Sequence, residues 1–220
     1  MIPRHQEPAP GRYGALLLLL IVSYLMSAFF SGRWVESLQV VLFTVAGVLA
    51  LRNSTVPRRA VRVLLVAAFF GVPVFFALSF SKATGDTGTG VADIWIGLVL
   101  LASAALIVRR VLGFGTVTLQ SIFGALSAYL ISGLMFAAFF AAIDHLGSGP
   151  FFASGQPANT QTFQYFSFTT LTTLGYGDFT ALGNSGRAVA VLEALTGQVF
   201  LATLVARLVA AFRAPADRQD

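Results

Sequence analysis

The 220-residue chain contains no cysteine, only two histidines, and so few ionisable side chains that Asp, Glu, Lys and Arg together make up 10% of it. Each shortage removes a class of chemistry. Without cysteine there is no disulfide framework, no thiolate nucleophile and no Cys-based metal site. His5 and His145 stand far apart, and neither has a second ligand cluster at the spacing a zinc site needs. No Ser/His/Asp constellation, phosphate-cradling Gly-Lys loop or dinucleotide fingerprint can be assembled. The chain is therefore not expected to be an enzyme, and no cofactor is expected.

Apolar residues fill the space that charge leaves: 56% of the chain is hydrophobic and the mean hydropathy is +0.80. A soluble domain carries about 25% charged residues, so a single globular core is excluded. A membrane-spanning helix takes roughly 20 apolar residues, and six would use about 120 positions. Apolar runs do fall in six places, at 13–30, 35–51, 60–80, 91–108, 119–143 and 188–212. Their breaks hold Ser31-Gly32-Arg33, Arg52 to Arg59, Lys82 to Gly90 (KATGDTGTG) and Arg109 to Gly115 (RRVLGFG). Periodicity inside the runs is weak, as expected of helices apolar all round. The first run could also be read as a signal peptide behind Arg4 and Arg12, but it is long for one and lacks a small-x-small cleavage site. An uncleaved helix is the preferred reading.

The formal charge of +5 then reads as topology rather than as a nucleic-acid-binding face. With the N-terminus inside, eleven of the fourteen Lys and Arg residues fall on the cytoplasmic side. Only Arg33, Lys82 and Arg187 fall outside. Both termini are accordingly expected in the cytoplasm of a multi-pass cell-membrane protein, with lipid as the first partner.

One segment breaks the pattern of hairpins. Asp144 to Thr160 (DHLGSGPFFASGQPANT) is loop-like, with three Gly and two Pro. Gln161 to Thr172 follows, aromatic and Thr-rich, about three helical turns and too short to span. Then comes Thr173-Leu174-Gly175-Tyr176-Gly177-Asp178. A half-length helix followed by a Gly-rich extended stretch describes a re-entrant loop, whose irregular backbone needs cover from protein or pore water.

Thr172 to Asp178 (TTLGYGD) resembles the selectivity-filter motif of potassium channels, with Leu174 where that family most often has Val. The resemblance covers about 118–212, and Glu193 to Arg207 is similar to the inner helix of bacterial members. It implies an all-α membrane protein of six transmembrane helices, with a re-entrant pore helix and filter between helices five and six. A four-helix domain would occupy 1–115, the pore domain 116–213 and a short cytoplasmic tail 214–220. The carbonyls of Thr173, Leu174, Gly175 and Tyr176 and the Thr173 hydroxyl would ligate K+, with Gly177 shaping the outer mouth. Tyr176 would point away from the ion path and brace the filter against the short helix. Tyr165 and Asp178 would form a supporting hydrogen-bond pair, alongside Thr172. Thr169 stands where some members carry a supporting glutamate.

A single pore loop without an internal repeat implies a homotetramer. Gly197 is either a gating hinge or a site of close helix packing. Glu193, inside the sixth run, is either a partner of the pore-helix threonines or a structural acid at a helix contact. The fourth run holds no basic residue before Arg109 and Arg110, so voltage gating by moving arginines is not expected. Pro73 would kink the third run. His145, beside Asp144, is either a solvated side chain or a sensor of external pH. Arg207 and Arg213 would reach lipid headgroups unless Arg207 faces the pore. The short tail leaves no expected regulatory domain. The readings kept open beside a potassium-selective channel are a potassium-uptake transporter component, a weakly selective cation channel and a non-conducting assembly partner.

Overall fold

The computed structural model describes residues 13–30, 38, 42, 85–113, 117–153 and 155–212. Every element among them is helical: α1 (Tyr13–Phe29), α2 (Gly85–Leu112), α3 (Leu119–Leu146), α4 (Thr160–Leu171) and α5 (Asn184–Phe212). Three of these, α2, α3 and α5, are long and apolar enough to cross a membrane. α1 is equally apolar, and its 17 residues reach about 25 Å at 1.5 Å per residue. The expected second and third spans, 35–51 and 60–80, and with them Pro73, lie outside the described residues apart from Leu38 and Leu42.

α2 departs from the sequence expectation at its start. The Gly-Asp-Thr-Gly-Thr-Gly stretch at 85–90, read above as a loop, is the first part of the helix. Packing overrides glycine's poor helix propensity here. Gly90 and Gly97, two turns apart, leave room for Leu146 and Phe139 of the neighbouring α3: a Cβ on Gly90 would sit 2.6 Å from Leu146 Cγ, and one on Gly97 would overlap the Phe139 ring. Small residues that let a second helix approach are the usual basis of packing in membranes. At the other end α2 continues through Leu112, past the Arg109-Arg110 pair expected to end it.

α3 starts with a reciprocal cap. Thr118 N donates to Ser121 Oγ at 2.8 Å and Ser121 N to Thr118 Oγ1 at 3.2 Å, satisfying two amides that the first turn leaves open. The helix runs on to Leu146, so Asp144, His145 and Leu146 belong to it rather than to the loop expected from Asp144 onward. α1 lies along α3, burying Tyr13, Leu16, Leu20, Ser23 and Ser27 in a three-four spacing. Its outward positions, Leu18, Val22, Leu25 and Phe29, are apolar and exposed. Two serines on the buried face and an outward face that is wholly apolar are unlike a soluble helix, and they suit lipid surroundings.

Candidate ion-conduction site

α4 is held in place before any site residue is reached. Its N-terminus carries a second reciprocal cap, Asn159 N to Thr162 Oγ1 at 2.9 Å and Thr162 N to Asn159 Oδ1 at 3.0 Å. Gln161 Nε2 donates to Ser27 O at 2.8 Å, and the Tyr24 and Phe168 rings meet at 4.9 Å, so the end of α1 abuts α4. An aromatic cluster packs its other flank, with Phe152 stacked on Phe163 at 5.4 Å and Phe140 tilted against Phe166 at 4.9 Å.

The C-terminus of α4 determines the next segment. Its last carbonyls are capped by the chain folding straight back. Thr173 N donates to Thr170 O at 2.9 Å, while Leu174 N and Gly175 N share Thr169 O at 2.8 and 3.1 Å. All described peptides are trans, so an amide that points at the helix end sends the preceding carbonyl the opposite way. The carbonyls of Thr172, Thr173 and Leu174 thus face away from α4. The backbone φ is positive at Thr173 (58°), Gly175 (50°) and Gly177 (81°), and at neither residue between them. Such alternation turns successive amides to one side, and hence successive carbonyls to the other. A regular strand would alternate them.

Thr173 is the one described non-glycine residue with positive φ, a costly conformation for a β-branched side chain. Three bonds hold it. Besides its amide bond to Thr170, its Oγ1 donates to Thr172 O at 2.7 Å and accepts from Gln198 Nε2 at 2.8 Å. Thr172 Oγ1 donates to Phe168 O at 2.7 Å. Thr169 contributes through its backbone carbonyl, its hydroxyl being turned back to Phe166 O at 3.0 Å.

Beyond the turn, Tyr165 Oη donates to Asp178 Oδ2 at 2.8 Å, the pair expected from the sequence. That bond pushes the Tyr165 phenol up to about 12. Asp178 Oδ1 accepts from Phe179 N at 3.1 Å, and Gln156 Nε2 donates to Asp178 O at 3.2 Å. Phe179 packs on Phe152 and Tyr165. An antiparallel bridge, Ala153 N to Thr180 O at 2.9 Å and Leu182 N to Phe151 O at 2.8 Å, ties the segment before α4 to the segment after the turn. Arg187 Nε adds a bond to Ala181 O at 2.9 Å. Tyr176 is 69% exposed in the single chain.

Several expectations change behind the turn. Gly197 lies against the end of α4, where a Cβ would overlap the Leu171 carbonyl, and α5 is continuous through this position. Of its two readings, close packing is the one the geometry carries. Glu193 is fully buried and meets Ser167 Oγ rather than a pore-helix threonine. Ser167 Oγ also bonds Gly133 O at 2.6 Å. Tyr129 Oη donates to Leu171 O at 3.2 Å. Ser167, Gln198, Tyr129 and Gly133 were not singled out from the sequence, because only the fold brings them to α4 and the turn.

Two charged residues also find partners the sequence did not indicate. His145 pairs with Asp93 of α2, Nδ1 to Oδ2 at 2.7 Å, whereas the adjacent Asp144 accepts from Phe151 N. Arg207 turns its guanidinium to the end of α2, bonding Val111 O and Leu112 O. It thereby caps carbonyls that the helix cannot satisfy itself. Arg213 lies outside the described residues.

A long apolar helix, a short capped helix, a glycine-rich turn with alternating backbone and a second long apolar helix thus follow one another along the chain. Residues 145–214 match the family model described as "Ion channel". The match supports an ion channel of the potassium-channel type. No curated protein matches the chain.

Proposed function

We propose that this protein is a potassium-selective channel, in which four copies bring their Thr173–Gly177 segments around one axis and conduct K+ passively. The observation that carries the reading is the alternation of positive φ at Thr173, Gly175 and Gly177. It turns neighbouring carbonyls to one side, as a ring of oxygens replacing the hydration shell of K+ requires. The ligands are the carbonyls of Thr173, Leu174, Gly175 and Tyr176 with the Thr173 hydroxyl, and Gly177 shapes the outer mouth. Thr169, Thr172, Tyr165 and Asp178 support them.

Fourfold assembly follows from one turn per chain. It is supported by the apolar residues α5 leaves exposed in the single copy, among them Val191, Leu195, Val199 and Val205. Neighbouring copies and lipid would cover these and the exposed Tyr176. In the membrane the chain has six spans, with α4 and the turn as the re-entrant loop and both termini cytoplasmic. Residues 1–115 form the four-helix domain and 116–213 the pore domain. α2 holds no basic residue before Arg109, and so no ladder of charge for voltage to move.

The test is flux from liposomes containing the purified protein, with potassium compared against sodium. The reading expects potassium-selective flux, and its absence across lipid compositions, pH and voltage would overturn it. Equal potassium and sodium flux would instead favour the weakly selective channel.

A further inference from the structure

Ser167 has one hydroxyl hydrogen and two neighbours that each ask for it. Its Oγ lies 2.6 Å from Gly133 O and within hydrogen-bond contact of Glu193 Oε1. The Gly133 carbonyl can only accept, so it takes the Ser167 hydrogen. An ionised Glu193 can also only accept, and it would then meet the Ser167 oxygen lone pair to lone pair. A protonated Glu193 removes the conflict. Its hydroxyl donates to Ser167 Oγ, Ser167 donates to Gly133 O, and each hydrogen has one acceptor.

The surroundings agree with this assignment. Glu193 has no exposed surface, and its second oxygen, Oε2, is buried without a hydrogen-bond partner among the described residues. An acid's carbonyl oxygen tolerates that position far better than half of a negative charge. The charged and titratable groups on the packed elements lie elsewhere or are neutral. On α5, Arg187 bonds Ala181 O and Arg207 bonds the end of α2. On α3, His145 is engaged by Asp93, and Tyr129, which faces Glu193, donates to Leu171 O. On α4 the titratable side chain is Tyr165, bonded to Asp178.

We infer that Glu193 is held as a neutral carboxylic acid, and that the chain Glu193–Ser167–Gly133 is a strut across three helices that positions α4 and the turn it carries. Glu193 is a positioning residue: it touches neither the turn nor an ion. The strut joins α5, α4 and α3 at one buried point, so movement of α5 reaches α4 directly through it. Its effect on conduction rests on the channel reading above, whereas the protonation of Glu193 stands apart from it.

The two parts are tested separately. Infrared difference spectra of wild type and Glu193→Gln, both in lipid at neutral pH, read the side chain itself. The wild type should show the carbonyl stretch of a protonated carboxyl that the variant lacks. Loss of a carboxylate band instead would overturn the assignment. Sustained potassium flux from liposomes reads the strut. Gln can donate an N–H to Ser167, so Glu193→Gln should stay within about twofold of wild type, and Ser167→Ala should fall about tenfold, as expected for a buried partner left unbonded. Glu193→Leu should match Ser167→Ala. If it fails to fold, the small Ser167→Ala change carries the comparison alone. Flux from Glu193→Gln as low as from Ser167→Ala, or unchanged flux in Ser167→Ala, would overturn the strut. A wild type without flux would count against the channel reading and leave the infrared result standing.

Discussion

Tyr165 and Asp178 are joined by a 2.8 Å hydrogen bond that links the middle of the short α4 helix to the residue closing the glycine-rich turn. Thirteen positions apart in the chain, they fix the far end of the turn to the helix that precedes it. The near end is fixed by backbone amides on Thr169 and Thr170. The turn is thus held at both ends by one helix.

That bond should be visible in a tyrosine titration. The Asp178 hydrogen bond raises the Tyr165 phenol from 10.0 to about 12. A raised value means that the bond is fully present below the ordinary tyrosine range and is lost as pH climbs through about 12. Ultraviolet titration of the wild type should show a high-pH rise that is larger, by one tyrosine, than that of Tyr165→Phe. In Asp178→Asn that one residue's rise should move down toward pH 10. A high-pH rise of the same size in the wild type and both variants would contradict the assignment.

Glycines in the turn are predicted to act through backbone conformation alone. A Cβ at Gly175 would meet nothing within 4 Å, yet φ there is 50°. Gly155 offers a control outside the turn, with φ 65° and the same open space. Alanine at either position should cost about 1–2 kcal/mol of strain, read as a similar fall in melting temperature. Only Gly175→Ala should also reduce potassium selectivity in liposome flux.

Gly197 presents the opposite case, with no conformational demand and no space. Alanine there would drive its Cβ into the Leu171 carbonyl, an overpacking cost of about 1–3 kcal/mol. Thermal unfolding should register this for Gly197→Ala and leave Gly183→Ala near wild type, since its nearest neighbour would be Ser185 Oγ at 3.9 Å. If Gly197→Ala instead left stability intact and altered only opening, a hinge would be the better account.

Gln198 and Thr173 should be energetically coupled. Gln198 Nε2 donates to Thr173 Oγ1 at 2.8 Å, while the Thr173 hydrogen goes to Thr172 O. Together these bonds use the hydroxyl's hydrogen and one of its two lone pairs. Gln198→Ala should lower potassium flux between about twofold and tenfold, the range of one hydrogen bond. It should have no further effect in a Thr173→Ala background. Additive losses in the double variant would show that the two act separately.

The sequence by itself determined the membrane setting, because a chain that is 56% hydrophobic and 10% charged has no soluble alternative. It also determined the short helix and the turn, since these depend on neighbours in the chain: the Asn159 and Thr162 cap, and glycines at alternate positions where backbone angles demand them. Tyr165 and Asp178 were legible as a pair through the resemblance of TTLGYGD to potassium-channel filters. Tertiary structure decided what lies far apart in the chain. The Gly-rich 85–90 stretch became helix because Leu146 and Phe139 fill the space beside Gly90 and Gly97. His145 turned to Asp93, 52 positions away, and Arg207 to Val111, 96 away. Glu193 met Ser167 and, through it, Gly133. Hydrogen bonds and close packing act over a few ångströms, so a residue's partner is set by which helices lie side by side. Composition and local spacing carry no record of that.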